Sequence, residues 1–344
     1  MTNPLISICL PAYNTESFIT DCIESLLSQT YENIEILICD DGSTDSTKEK
    51  LEKYKLHYKI KIYHNDTNQG IAYTRNKLLK KTNGKYIALM DSDDICEPER
   101  IACQLNLLEN TIYDFCATDA YIVDQYNNII GYWKTPSSIE ELKILLTIKI
   151  PFPQPSIMFK RQLLPLFSYD ENELAEDYLL WMKISNRINY TTINTPHLRI
   201  RINSGSISKI RTSELLDSAN RVRCKWIKEN FFHLNKSQEY DLACTFSQDN
   251  SRNISSLKES LYILEKIKKT KSSDTINQLF HEQYFWLILR HTHLGLSLLP
   301  IIYKYRKQRS IKKSMILYIM SILKIKYGSN TFNTLKGLIR KNGK

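Results

Sequence analysis

The N-terminal part of the chain alternates between short apolar runs and amphipathic stretches. Leu5 to Leu10 is a short, Ile-containing apolar run and predicts a buried strand. Phe18, Ile19, Cys22, Ile23, Leu26 and Leu27 recur at helical spacing, with Thr15 ahead of them as the cap. Ile34 to Cys39 predicts a second strand, followed by Asp40-Asp41-Gly42-Ser43-Thr44-Asp45 and a Lys/Glu-rich helix. Ile60 to Tyr63 predicts a third strand, Gly70 to Lys81 a helix and Tyr86 to Met90 a fourth strand. Strands alternating with helices imply an α/β chain with a mostly parallel, doubly wound sheet. Such sheets bind ligands beyond the carboxyl ends of their strands. Pro11-Ala12-Tyr13-Asn14, Asp40-Asp41 and Asp91-Ser92-Asp93-Asp94 all fall there, so three polar clusters converge on one rim.

The C-terminal part has a different pattern. Leu257, Leu261, Leu264 and Ile267 form a helical stripe that predicts a packed core helix. Tyr284 to Tyr303 comes nearest to a membrane span, but Arg290, His291, His293 and Pro300 interrupt it. Met1 to Pro4 carry neither a basic n-region nor a long apolar h-region, so a secretory leader is not expected. The expected location is the cytoplasm, with a peripheral position on the inner face of the cell membrane as its extension.

Charge sharpens the division. Residues 1–210 carry a net −5 and residues 211–344 a net +15. After Glu282 there are 13 Lys or Arg and no acid. The bland reading is a solvated face in a Lys-rich chain. An anionic partner is the sharper one, either a membrane surface or nucleic acid. Apolar residues beside the charge favour the membrane. Tyr284 to Leu289 precede Lys304, Arg306, Lys307, Arg309, Lys312 and Lys313, and Met315 to Met320 follow. No nucleic-acid motif is present, so no nucleic-acid partner is expected. Composition excludes other classes: 42% apolar residues exclude wholesale disorder and 9 Gly exclude collagen. The 8 Cys include no CxxC pair, and Cys9 and Cys39 lie inside apolar runs as buried thiols do.

The rim decides the chemistry. No GxGxxG or Walker-type loop occurs, and carboxylates dominate instead. Carboxylates repel a bare diphosphate, and they become useful when a hard divalent cation bridges them to it. Asp91 and Asp93, spaced i, i+2 after a buried strand, suit that role. Asp40 or Asp41 can accept hydrogen bonds from a base or ribose. Tyr13 offers a flat face for a base, and Arg75 a fork for phosphate or carboxylate. Alone, Asp91 to Asp94 would read as a turn capping a helix. Three such clusters on consecutive strand ends make independent capping a poorer explanation.

These pieces resemble a family 2 glycosyltransferase of the GT-A fold. The matching segments are Ile8-Cys9-Leu10-Pro11-Ala12-Tyr13-Asn14, Ser25 to Tyr31, Asp40 to Asp45, Asn68-Gln69-Gly70 with Ala72, Arg75 and Asn76, and Gly84 to Asp94. Weaker similarity runs through Gln154-Pro155-Ser156-Ile157-Met158-Phe159 and Ala175-Glu176-Asp177-Tyr178-Leu179-Leu180-Trp181 to about residue 210. The resemblance implies a GT-A domain over 1–210, followed by a basic, mainly helical region over 211–344. It implies inverting transfer of one hexosyl or N-acetylhexosaminyl group from a nucleotide-diphosphate sugar, a UDP-sugar foremost, with Mn²⁺ or Mg²⁺. The acceptor would be a glycan or lipid-linked glycan in cell-surface polysaccharide synthesis, such as lipopolysaccharide or capsule.

By position, Pro11, Tyr13, Asp41 and Arg75 would hold the nucleotide and Asp91 would touch ribose or metal. Asp93 would be the main metal ligand. Asp177 would be the general base, with Glu176 as the substitute. One departure stands out. The family often carries Tyr-Arg-x-His before a Ser-rich stretch, and that His can bind metal. Here Leu198-Arg199-Ile200-Arg201 precedes Ser204-Gly205-Ser206, with Arg201 in the His position and His197 off register. A nucleotidyltransferase and a non-catalytic nucleotide-sugar-binding scaffold are the rival readings. The first would normally show a Gly-rich basic loop, which Pro11 to Asn14 is not.

Overall fold

The computed structural model describes residues 3–202, 212–246, 253–270, 273–305, 311–325, 327, 329, 331 and 332. Ser204-Gly205-Ser206 and the basic residues Arg306, Lys307 and Arg309 lie outside the described residues, as do the side chains of Lys312 and Lys313. The chain divides into two compact units, Met1–Arg211 and Thr212–Lys344.

The first unit is built on a nine-stranded sheet. Its opening half is β1 (Ile6–Ala12), β2 (Ile34–Asp40), β3 (Ile60–His64) and β4 (Tyr86–Leu89), paired in parallel in the order β3-β2-β1-β4. β1 and β2 are buried at every position, as expected of a strand covered on both faces. This is why their sequences run apolar without alternation. Helices α1 (Ile19–Leu27), α2 (Thr47–Glu52) and α3 (Ile71–Leu79) make the crossovers. Ile19, Cys22, Ile23 and Leu26 of α1 join the β1 and β2 side chains in one core cluster.

One local expectation is corrected here. Thr15 does not cap α1 with its side chain. Its carbonyl accepts the Phe18 and Ile19 N–H groups at 2.9 Å, while its own N–H donates to Thr47 Oγ1. The loop's ties to residues 43–47 orient Thr15 toward α2.

The remaining strands are β5 (Ile95–Cys96), β6 (Phe115–Val123), β7 (Ile129–Trp133), β8 (Met158–Lys160) and β9 (Tyr190–Arg201). Beyond β4 the order continues β8-β6-β9-β5, with β7 hydrogen-bonded to β6. Only β6–β9 is parallel among these later pairings. Helices α4 (Arg100–Asn110), α5 (Ile139–Leu145) and α6 (Glu176–Ile184) complete this unit. The strand order reverses direction between β1 and β4. Their carboxyl ends therefore open the crevice where doubly wound sheets bind ligands.

The second unit is helical: α7 (Thr212–Asn230), α8 (Lys236–Phe246), α9 (Ile254–Lys269), α10 (Asp274–Arg290), α11 (Leu299–Tyr305) and α12 (Ile311–Ile322). Leu257, Leu261, Leu264 and Ile267 of α9 are buried. Among the described residues no single helix is long and apolar enough to cross a membrane. The Asp274–Arg290 and Thr292–Tyr305 helices pass such a test only together, and they are bent by 104°. Phe280, Tyr284, Leu287, Ile288, Ile301 and Ile302 are buried inside the unit, which marks this pair as core. The eight cysteines are free thiols, with Cys9 and Cys39 buried.

Candidate active site

The rim begins at the end of β1. Pro11 lies on the strand edge that faces β4, where Cys9 accepts the Met90 N–H at 3.0 Å. β4 ends opposite Cys9, so the missing proline N–H costs no ladder bond. Tyr13, half-buried, and Asn14 follow. Asn14 adopts a positive φ of 49°, which asparagine tolerates. Its side chain accepts the Thr44 N–H at 2.8 Å, and its N–H donates to Ser43 Oγ at 3.0 Å. The loops after β1 and β2 are thereby tied together.

Asp40 ends β2, Asp41 follows it, and both are buried. Asp40 accepts the Ser43 N–H and meets His64 Nδ1 at 3.3 Å. Asp41 turns to the segment before α3. Its Oδ1 accepts Asn65 Nδ2 at 2.6 Å and the Gln69 N–H at 2.9 Å, and its Oδ2 accepts the Gly70 N–H at 2.9 Å. Asp41, expected to reach a nucleotide, here anchors the 65–70 turn, because a buried charge is stable only when its oxygens are satisfied.

Asp91 to Asp94 form a turn closed by the Asp94 N–H on the Asp91 carbonyl at 3.2 Å. A strand, β5, follows it rather than a helix. Asp91 and Asp93 are half-buried, whereas Ser92 and Asp94 are buried. Burial raises the Asp94 carboxyl well above its ordinary range, with the neighbouring Asp93 and Asp91 charges adding to it. Arg201 locks this turn from behind. Its N–H donates to Asp94 Oδ1 at 2.8 Å, its Nε to the Asp93 carbonyl at 2.9 Å and its Nη1 to the Gln125 carbonyl at 3.1 Å. Its guanidinium also stacks on Phe18 at 4.5 Å and lies 3.6 Å from Asp21. The residue in the expected His position is therefore a brace for the acidic turn. His197 lies beside Thr195 at 3.1 Å and takes no part in that turn's hydrogen bonds among those described.

Arg75 joins the rim to the distant helix α6. Its Nη2 donates to Asp91 Oδ1 at 2.9 Å and its Nη1 to Glu176 Oε1 at 2.6 Å. Burial opposes the charge on Arg75, but Asp91 and Glu176 overcome it and hold the guanidinium protonated. The fork expected to take phosphate or carboxylate engages two carboxylates here. Tyr169 lies beneath it, with the ring centroid 5.5 Å from Cζ. Asn76 fixes that tyrosine by donating to its carbonyl and accepting its N–H, each at 2.9 Å. Gln154 donates to the Tyr169 hydroxyl.

Asp177 follows Glu176 at the start of α6 and is close enough to feel both Arg75 and Asp91. Its Oδ1 accepts the Tyr178 N–H at 2.6 Å. Burial raises both acids, with Arg75 pulling the other way; Glu176 is pushed up to about 7. Residues far apart in the chain are therefore brought together as Asp91, Arg75, Glu176 and Asp177.

Three carboxylates around one guanidinium, among the described residues, make a site that would repel a diphosphate. A divalent cation removes that conflict. Hard oxygen donors on one turn, completed by phosphate oxygens and water, are what Mg²⁺ and similar ions accept. Asp91 and Asp93 supply such donors. No group of three or more His, Cys, Asp or Glu placed to hold a metal occurs among the described residues, so substrate oxygens would have to complete the shell.

Four positioning residues escaped the sequence pattern. Tyr169 is a single aromatic in a loop. Asn76 and Gln154 stand in recognisable segments that say nothing of their partners. Arg100 is fully buried and donates to the Leu89 and Ile157 carbonyls at 3.0 and 3.2 Å, fixing the end of β4 just before the acidic turn. No local pattern marks an arginine whose partners are carbonyls on other elements.

The family model described as Glycosyl transferase family 2 matches residues 7–164. The Escherichia coli UDP-Glc:alpha-D-GlcNAc-diphosphoundecaprenol beta-1,3-glucosyltransferase WfgD is 34% identical over 62% of this chain and 84% of its own length. Its counterpart WfaP, of the same described activity and organism, is 34% identical over 65% of this chain and 88% of its own. Among solved structures, S. aureus TarS 1–349 in complex with UDP-GlcNAc aligns with a TM-score of 0.55 at 19% identity, covering 94% of this chain and 93% of that one. The Pyrobaculum calidifontis mannosyltransferase PcManGT, solved with GDP-Man and Mn²⁺, gives 0.51 at 14% identity, covering 94% and 88%. At such identities the likeness is one of fold.

Proposed function

Because the chain belongs to glycosyltransferase family 2, we propose that it moves one hexosyl residue from a UDP-sugar to a lipid-linked glycan, with inversion, in cell-surface polysaccharide synthesis. The donor and acceptor classes are those named for WfgD and WfaP. The observation that carries the reading is the Arg75 bridge, at 2.9 Å to Asp91 and 2.6 Å to Glu176, which sets a buried acid pair against the acidic turn. Because the acceptor is lipid-linked, the enzyme works peripherally on the cytoplasmic face of the membrane.

Each residue then has a task. Pro11 and Tyr13 line the base side of the crevice, while Asp41 holds the 65–70 turn that frames it. Asp91 and Asp93 would hold Mn²⁺ or Mg²⁺. When bound, the ion neutralises the leaving diphosphate as a Lewis acid. Arg75 fixes the carboxylate of Asp91 and keeps positive charge beside it. Asp177 accepts the acceptor hydroxyl proton as that oxygen attacks the anomeric carbon. The bond from that carbon to the diphosphate breaks, and its electron pair leaves with the nucleotide. Attack opposite the leaving group inverts the centre. A positioned base of this kind contributes roughly 10²–10⁴ in rate. Glu176 holds Arg75 and tunes its neighbour.

The test is a thermal-shift panel of UDP-, GDP-, CMP- and TDP-sugars with and without Mn²⁺, followed by transfer to a polyprenyl-diphosphate-linked GlcNAc. A UDP-sugar should stabilise the protein only with metal, by about 2.7 kcal/mol at 100 times its dissociation constant. Asp93→Ala should abolish that increment. Absence of both stabilisation and transfer with every donor would overturn the proposal.

A further inference from the structure

Helix α12 of the second unit carries large apolar side chains on its outward as well as its inward face. Leu317 and Met320 point inward and are buried, together with Ser314 and Ser321. Met315, Ile319, Ile322 and Leu323 point outward at 56, 46, 56 and 63% exposure. Their spacing of i, i+4, i+7 and i+8 defines one continuous stripe. The inward face thus contains the two serines, while the outward face is made of large apolar side chains.

A bulky apolar stripe kept on the outward side of a helix marks a contact with a membrane or a partner. At 12 residues α12 is too short to cross one, since a span needs about 20. Among membrane arrangements, lying in the interface is the one left to it. The stripe extends beyond the helix. Lys324 packs its stem over Gly295, its Cγ 3.2 Å from where a β-carbon there would stand. This contact brings the chain at Leu323 to the segment that carries Leu296, itself 61% exposed. The surrounding sequence is complementary to an anionic surface. Lys312 and Lys313 open the helix, Lys324 and Lys326 follow it, and no acid occurs after Glu282. Each such cation near an anionic leaflet strengthens attachment, while salt weakens it.

We propose that the outward face of α12, with Leu296 beside it, is the surface by which this enzyme lies on an anionic lipid leaflet. The inference rests on the peripheral placement given above and identifies its contact residues. The basic composition of this stretch suits an anionic headgroup region, and the stripe suits the acyl boundary.

The experiment is flotation of the full chain with phosphatidylcholine vesicles and with mixed phosphatidylcholine–phosphatidylglycerol vesicles, at low and high salt. The wild type should partition onto the mixed vesicles and release with salt. Ile319→Glu and Ile322→Glu should each lower partitioning by roughly tenfold or more, the ratio expected when one large apolar side chain is kept from lipid. Leu56→Glu, an exposed apolar site on the first unit, should leave it unchanged. Hydrogen exchange on the wild type supplies a readout that needs no variant: vesicles should slow exchange over 311–323. A wild type that ignores the mixed vesicles would overturn the membrane placement itself. Equal binding by wild type and both Glu variants, or unchanged exchange over 311–323, would overturn only this surface. A wild-type dimer that the Glu variants dissociate, without vesicle binding, would assign the stripe to a second copy and overturn the proposal.

Discussion

Arg75 and Glu176 stand 101 positions apart in sequence and 2.6 Å apart in space. The same guanidinium reaches Asp91 at 2.9 Å, so one side chain of α3 fastens the end of β4 to the start of α6. Removing it leaves a buried carboxylate without its counter-charge. Arg75→Ala should lower unfolding free energy by about 3 kcal/mol, the low end for a broken buried pair because Asp91 is partly open to water. Arg75→Lys should recover only part of this, since a point charge cannot serve two carboxylates as a fork does. Urea unfolding of the three proteins measures the order.

Asp177→Asn preserves Oδ1 as the acceptor of the Tyr178 N–H, so it should fold normally. Its turnover should fall by roughly 10²–10⁴ while donor affinity holds. Burial raises this carboxyl, so the acid limb of the wild-type rate profile should lie above the ordinary aspartate range. Single-turnover rates and donor titration separate the two effects. A full loss of donor binding would assign Asp177 to the nucleotide instead.

Stability should also carry the signature of Glu176. Burial, and then the charge of Asp177, raise its carboxyl from 4.5 to about 7 in the folded protein, against the pull of Arg75. The folded state therefore holds the proton more tightly than the unfolded chain. Its contribution is complete below about 4.5 and lost as pH rises through about 7. Glu176→Gln cannot titrate there, so wild type should lose stability relative to it across that window. Urea midpoints for both proteins at several pH values decide the matter; a constant difference would refute the account.

Gly42 adjoins Asp41 with φ +69°, and a β-carbon there would lie 2.6 Å from the Thr67 carbonyl carbon. Gly42→Ala should cost about 1–3 kcal/mol from the backbone conformation alone, with the clash added to it. The displaced 65–70 turn should weaken donor binding in the same variant. Calorimetry with and without a UDP-sugar measures both.

Local pattern carried much of this molecule. The strands β1, β2 and β4 run apolar because both of their faces are covered, while the edge strand β3 keeps only Ile60 buried. The helices between the strands repeat at the helical period. Their alternation already implied the shared rim. The acidic turn and the segment from Ala175 to Trp181 stood out because motif segments keep their order and spacing along the chain. The later strands were not. β8 is three residues long and β5 two, too short for any period to register.

The sequence by itself determined the parallel half of the sheet, the acidic rim at its carboxyl end and the basic, apolar character of the C-terminal part. Each is a property of neighbouring residues. Only the tertiary structure decided which charges meet. Asp41 turned to the Gly70 amide, Arg201 braced the acidic turn, Arg75 joined Asp91 to Glu176, and α12 kept its bulky stripe outside. A side chain's partner depends on what the fold brings within hydrogen-bonding distance, and burial forces each polar group to take the partner it finds there.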